Sequence, residues 1–284
     1  MKESIAFRES LKIISKGSEV LLNHTSGRII GEVEALELDM MGNVVFSYGK
    51  EYNDVILTGS TFVLEQMFKQ RAPINISTLS EDMDINGDIE LTTENLKDEY
   101  VFGFMVGIGG VSEMNEGVGI VNAVQYTDKT LATMLPFRVV NSELEGQDAE
   151  NYFMKKYHIL DGDTEERYSY YAKKFTGEPV IKHLFTDGSE VPPNISETGT
   201  DRSIRTFTEM TCDVNAQDIR DYFNIKYQSL DNCRVNTIGL VAGFKDDESG
   251  DMAGARLVTA INFKNRELNN TENTIRFIYR IYCI

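Results

Sequence analysis

The chain has 284 residues, a globular composition rich in Tyr and Phe, and a formal net charge of −17 from 28 basic and 45 acidic residues. Such a length can bury a real core, as one large domain or two modest ones; five prolines and 22 glycines argue against chain-wide disorder. The acidic balance excludes tight wrapping of nucleic acid, which needs Lys and Arg stripes, and no apolar run reaches the roughly 18 residues of a membrane span.

In chain order, Met1-Lys2-Glu3-Ser4 leads into mixed polar sequence without an apolar h-region, so no secretory signal is expected. Ile5, Leu11, Ile14, Leu21 and Leu22 suggest a loosely amphipathic helix over residues 4–24, interrupted by Gly17. Arg28 to Leu38 reads as a strand, Met41-Gly42-Asn43 as a turn, and Val44-Val45-Phe46 and Val55-Ile56-Leu57 as short strands. A helix is expected over Thr61 to Gln70, capped by Ser60.

From Glu81 to Glu99 there are eight acidic residues and one lysine. Within this stretch, Asp82-Met83-Asp84-Ile85-Asn86-Gly87-Asp88-Ile89-Glu90 matches the first nine positions of a calcium-loop pattern. A hard Ca²⁺ ion wants several oxygens, and alternate side chains around a Gly bend let one loop surround it. On this reading Asp82, Asp84 and Asn86 ligate through side chains and Asp88 through its carbonyl. The pattern then breaks: Thr93 stands where the bidentate Glu belongs, with Glu94 one residue late, and Pro73 upstream argues against a helix-loop-helix. The competing reading is an acidic surface turn.

Tyr100 to Gly110 is the most concentrated apolar run and reads as a buried strand. Gly103 and Gly107 leave gaps for another backbone or a large side chain. Gly107-x-Gly109-Gly110 lacks the third spaced glycine and the following helix of a dinucleotide site, so it reads as a strand end. Val118 to Tyr126 and Met134 to Val140 are expected strands, and Asn141 to Asn151 a hinge or short helix. Tyr152 to Leu160, Glu166 to Phe175 and Val180 to Phe185 follow as strands, and Asp187 to Arg202 as a long loop.

Ile204, Thr206, Thr208, Met210 and Cys212 alternate on one strand face, and Asn215 is placed to cap a helix near Ala216 to Phe223. Ile238 to Phe244 reads as a strand, then a loop over Lys245 to Gly254. Ala255, Leu257, Thr259, Ile261 and Phe263 are expected on one face of the next strand, and Ile275, Phe277, Tyr279, Ile281 and Cys283 on one face of the last. The predicted class is α+β, predominantly antiparallel β in the second half with a few short helices. Residues 1–99 form an N-terminal α+β region ending in the acidic loop, and 100–284 a β-rich region.

Catalytic residues are not identified: GxxxxGK[ST], HExxH and GxSxG are missing, and His24, His158 and His183 lie far apart. Cys212, Cys233 and Cys283 have no CxxC spacing and read as small buried thiols. Lys155, Lys156, Arg167, Lys173, Lys174 and Lys182 interleave with Tyr152, Tyr157, Tyr168, Tyr170 and Tyr171. Such a strip suits single-stranded nucleic acid by stacking, or a solvated Lys-rich sheet face that meets the acidic surface of a neighbour.

Asn53-Asp54-Val55-Ile56-Leu57-Thr58-Gly59 with the Phe62 to Phe68 segment resembles virion structural proteins of tailed bacteriophages, of the neck, baseplate and fibre-attachment kinds. Phe104-Met105-Val106-Gly107-Ile108-Gly109-Gly110, Leu135-Pro136-Phe137-Arg138 and the Ile275 to Ile284 strand extend the resemblance in separated segments. It implies a non-enzymatic structural subunit of a symmetric neck, tail-connector or baseplate assembly, built in the bacterial host cytoplasm. Its partners would be copies of itself and other virion proteins, with DNA passing without specific binding and no membrane. The alternatives are a calcium-dependent β-rich binding or adhesion module and a carboxylate-based glycan hydrolase.

Overall fold

The apolar run beginning at Tyr100 lies at the centre of a seven-stranded antiparallel sheet. The structure, a computed structural model, describes residues 29–73, 79, 91–113, 119–159, 166–192, 204–230, 233–248, 250–268 and 272–283. The helix expected over residues 4–24 lies outside them. In chain order the strands are β1 (Ile29–Leu38), β2 (Val44–Asp54), β3 (Tyr100–Gly107), β4 (Val111–Glu113), β5 (Gly119–Val121), β6 (Met134–Leu135) and β7 (Arg138–Val140). They continue as β8 (Tyr152–Ile159), β9 (Glu166–Lys174), β10 (Val180–Phe185), β11 (Ile204–Asn215), β12 (Arg234–Lys245), β13 (Met252–Glu267) and β14 (Thr274–Cys283). The helices are α1 (Leu57–Phe68), α2 (Gly146–Asn151) and α3 (Ala216–Tyr227). The fold is α+β and mostly antiparallel sheet.

One sheet runs β10-β11-β14-β1-β2; the other runs β13-β12-β3-β9-β7, with β6 on β3 and β8 on β9; β4 and β5 form a small hairpin sheet. The two large sheets share a core. Val33 and Ala35 of β1, Met210 and Cys212 of β11, and Phe277 and Tyr279 of β14 lie in one buried cluster with Phe104, Leu240, Ile261 and Phe263 of the other sheet. Phe263 meets Phe277 across the sheets at a ring separation of 5.3 Å. A second apolar cluster, with Phe102, Met105, Leu131, Val241, Ala255 and Leu257, covers the opposite face of the seven-stranded sheet. That is why β12 is apolar almost without interruption: both faces are buried. β1 and β2, from the first of the two expected regions, thus join β10, β11 and β14 from the second in one sheet.

The gaps anticipated in β3 are filled by backbone. A Cβ on Gly103 would stand 2.6 Å from the Lys173 carbonyl oxygen, and one on Gly107 would stand 2.7 Å from that of Thr133. The 131–135 segment hydrogen-bonds to the end of β3, with Ile108 N–H donating to Thr133 and Gly109 N–H to Ala132. Buried Asn236 closes the turn, accepting from Gly110 N–H at 2.7 Å and donating to the Ile108 carbonyl at 3.1 Å. Val111–Glu113 after the turn is a strand, in keeping with a strand end rather than a nucleotide loop.

β13 departs from simple alternation. Leu240 pairs with Thr259 but Val241 with Leu257, so Val258 is an extra residue. A bulge of one residue exchanges the faces of everything beyond it. Ala255 and Leu257 therefore enter the second cluster, while Ile261 and Phe263 enter the core between the sheets, and the Thr259 hydroxyl bonds that of Tyr279. The expectation of one common face is corrected accordingly.

The start of α1 is seated on this bulge. The Thr58 hydroxyl donates to the Leu257 carbonyl, and a Cβ on Gly59 would fall 1.9 Å from the Val258 carbonyl oxygen. Hence Val55-Ile56-Leu57 is not a strand: Val55 and Ile56 are buried in the approach to the helix, which begins at Leu57 rather than Thr61. Ile56 occupies the cap position without a side-chain bond, and Ser60 lies inside the first turn.

Four charges lock α1 down. Arg256 of β13, with its side chain 1% exposed, bonds Glu99 at 2.7 Å and Glu65 of α1 at 2.7 Å; Arg71 reaches the same two carboxylates at 2.7 and 3.0 Å. Two cations and two anions make the cluster neutral, which is how buried charge is tolerated. Burial pushes the Glu65 carboxyl up, but the Ala72 N–H, Arg256 and Arg71 outweigh it and hold it below its ordinary 4.5. A lowered folded value means the unfolded chain binds more protons in that window. This stabilisation is complete above the ordinary value and is lost as pH falls through the lowered one. Glu65→Gln is expected to cost about 3 kcal/mol near neutral pH and to flatten the acid limb of a denaturant-derived stability curve; an unchanged acid limb contradicts the assignment.

Gly59→Ala tests the helix seat. Backbone, not a flexible side chain, occupies the space, so the added methyl should cost about 1–3 kcal/mol or more by overpacking, read as a lower unfolding midpoint in urea. An alanine variant as stable as the parent would show that α1 is not held against Val258.

Candidate functional site

The acidic loop residues Asp82, Asp84, Asn86 and Asp88 lie outside the described residues, as does His24. Among the described residues no group of three His, Cys, Asp or Glu side chains is arranged to hold a metal ion. Cys212 and Cys233 are buried free thiols, and burial pushes both upward, well away from the reactive thiolate. His158 and His183 sit on different sheets, and His183 shares a 2.9 Å contact with the Thr206 hydroxyl.

The basic and aromatic strip does not form one face. Lys155 bonds Glu143 and Asp251. Lys182 bonds Glu209 at 2.6 Å. Lys173 is drawn inward to Asp218 of α3 at 2.6 Å. Asn215 caps α3 as expected, in a reciprocal capping box with Asp218. The Asp218 carboxylate also accepts from the Tyr152 hydroxyl at 2.8 Å, so one side chain starts the helix and ties it to β8 and β9. Burial, followed by the charge of Asp218, pushes the Tyr152 phenol up and keeps it protonated.

Asp218 is fixed at Lys173, α3 packs beside β7, and a cleft of about 190 Å³ lies between it and β7, β8 and β9. Pro136, Val139 and Ile225 supply apolar wall, Tyr171, Tyr222 and Ser169 the polar-edged part, and His158, Arg167 and Lys226 the basic groups. Among the described residues no Asp or Glu lines it. The Lys226 amine donates to the Tyr222 hydroxyl at 2.8 Å and lies 5.3 Å from the Tyr222 ring centre and 5.8 Å from that of Tyr227. That hydrogen bond raises its affinity for the proton. Burial, then the nearby Lys156 charge, lowers that of His158.

A second surface is the β1–β2 hairpin tip. The Asp39 carboxylate accepts from the N–H groups of Met41 and Asn43 at 2.9 and 2.8 Å, and Gly42 adopts φ +81°. This is the turn expected at Met41-Gly42-Asn43. The strand after it is longer than Val44 to Phe46; it continues to Asp54 through bulges at Val45 and Tyr48. The tip presents Met40 (73% exposed), Met41 (87%) and Val44, Val45 and Phe46 (55% each). β2 is the edge of its sheet, and the far edge, β10, exposes Ile181. Sequence reading found the turn and missed the exposure; the available signal was apolar residues on both sides of a tight polar turn.

The final strand lies between β1 and β11, with Ile275, Phe277 and Tyr279 fully buried. It is an internal core strand. Arg276 and Arg280 meet carboxylates of their own sheet: Asp213 at 2.7 Å for Arg276, and Glu209, Glu32 and Glu34 at 2.7, 2.8 and 3.2 Å for Arg280. Comparison with family models, curated proteins and solved structures finds no match to the chain.

Proposed function

We propose that the chain is a non-enzymatic structural subunit of a tailed-phage virion, part of a symmetric neck, tail-connector or baseplate assembly. The observation that carries this reading is the cluster Met40, Met41, Val44, Val45 and Phe46, exposed on a hydrogen-bonded turn at the end of an edge strand. Contiguous exposed apolar side chains mark interaction surfaces, methionines suit adaptable contacts, and a free strand edge offers backbone groups for pairing. A turn already held by Asp39 loses little freedom on docking. The segment resemblance to virion proteins supplies the kind of assembly. A net charge of −17 would let DNA pass such a structure without adhering.

Sedimentation velocity over a wide concentration range, alone and with virion partners, tests this. The parent chain is expected to form discrete higher-order species, and Met41→Lys with Val45→Lys to reduce their formation at least tenfold without lowering the unfolding midpoint. A parent that stays monomeric under both conditions, or a variant that assembles as well as the parent, overturns the proposal.

A further inference from the structure

We propose that the hairpin tip of one copy of the chain docks on the outer face of α1 of a second copy, with Met41 packing among Leu64, Met67 and Phe68 and the Asp39 carboxylate meeting the Lys69 amine. The inference rests on the assembly reading above and names the occupant of the tip.

The polarity of α1 is reversed for a helix on a protein surface. Its inner face carries Glu65, buried in the ionic cluster, whereas Leu64, Met67 and Phe68 are 56%, 68% and 68% exposed. Their i, i+3, i+4 spacing puts the three on one face, an apolar stripe of the kind that marks a contact surface. The hairpin tip is a patch of the same chemistry. β2 begins at the tip and leads into α1, so roughly 30 Å of strand separates the tip from the start of the helix. Both patches are exposed on the same copy, so a tip that covers a stripe belongs to another copy.

Charge decides between like and unlike patches. Asp39 flanks the tip, and its bonds from Met41 and Asn43 fix the carboxylate at the surface. Lys69 follows Phe68 at the end of α1 and is exposed. Its amine donates to the neutral Gln66 side chain at 2.9 Å, which positions the charge without cancelling it. In patches this small, two tips face to face bring Asp39 against Asp39, and two stripes bring Lys69 against Lys69. Like charges across an interface disfavour both; tip on stripe pairs opposite charges. Such a contact is heterologous, so copies add head to tail until a ring closes. The competing contact is pairing along the edges of the five-stranded sheet. Lys50 of β2 and Lys182 of β10 stand on those edges, where lysine opposes edge pairing.

Sedimentation velocity of full chains, singly and mixed, tests the pairing. The stripe variant, Leu64→Lys with Met67→Lys, is expected to assemble at least tenfold more weakly than the parent, as is the tip variant, Met41→Lys with Val45→Lys, both with unchanged unfolding midpoints in urea. Lys69→Glu alone should weaken assembly at least threefold. An equimolar mixture of stripe and tip variants, well above the parent's assembly concentration, restores one contact: the intact tip of the first on the intact stripe of the second. It should form a dimer and stop there, since the tip and stripe left over are both substituted. Undiminished assembly of the stripe variant, undiminished assembly of Lys69→Glu, or a mixture that stays monomeric overturns the inference and leaves the assembly reading standing. A parent that is monomeric alone but assembles with virion partners does the same. A parent that is monomeric under both conditions overturns both.

Discussion

One extra residue in β13 decides how the two sheets meet. Without Val258 in the register, Thr259, Ile261 and Phe263 would share a face with Ala255 and Leu257, and the five-stranded sheet would lose the partners of Phe277 and Tyr279. With it, one strand serves two cores in succession. The carbonyl groups around the bulge do not go unused: Leu257 accepts from Thr58 and Ala260 from the Asn53 side chain. The outer edge of β13 is thus covered by the β2–α1 connection, an edge protected by its own chain. Arg256, three residues before Thr259, carries the ionic cluster that holds α1 in place. Bulge, helix seat and buried charges are parts of one solution, since moving any of them exposes the others.

The five-stranded sheet solves a different problem. Its inner face is apolar, and its outer face carries a row of alternating charge that crosses every strand. Lys182 of β10, Glu209 of β11, Arg280 of β14, Glu32 of β1 and Lys50 of β2 bond in sequence at 2.6, 2.7, 2.8 and 3.0 Å. Arg280 stands directly opposite Glu209 and Glu32 in the strand register, where opposite charges stabilise a sheet and like charges oppose it. Spending cations in this way leaves the surface acidic. It also makes the exceptions conspicuous: an apolar hairpin tip at one end of this sheet, and a basic cleft on the other sheet.

Much of the strand order along the chain could be read from local pattern. β3 declared itself by apolar density, β8 to β12 by length and turn residues, and α3 by the Asn215 cap, because each signal is carried by neighbours in sequence. Gly103 and Gly107 marked close backbone approach for the same reason. What escaped depended on partners far away. The bulge at Val258 is specified by β12 and by α1, neither of which alternation within β13 can report. Thr58 and Gly59 stand just before the expected helix start, but their roles are set by carbonyls nearly two hundred residues later. Arg276 and Arg280 look available to a neighbour until β1 and β11 are placed on either side. The exposure of Val44, Val45 and Phe46 follows from β2 being an edge, which no window around them reveals.

The central structural claim is that both sheets belong to one cooperative unit joined through β13 and β14. Native-state hydrogen exchange resolved to single amides tests it most directly. The account predicts that amides of Phe104–Val106, Ile238–Leu240 and Phe277–Tyr279 exchange only through global unfolding, with one common opening free energy and one common denaturant dependence. If the β14 amides instead open at a clearly lower free energy than those of β3 and β12, the two sheets separate independently and the shared core described here is contradicted.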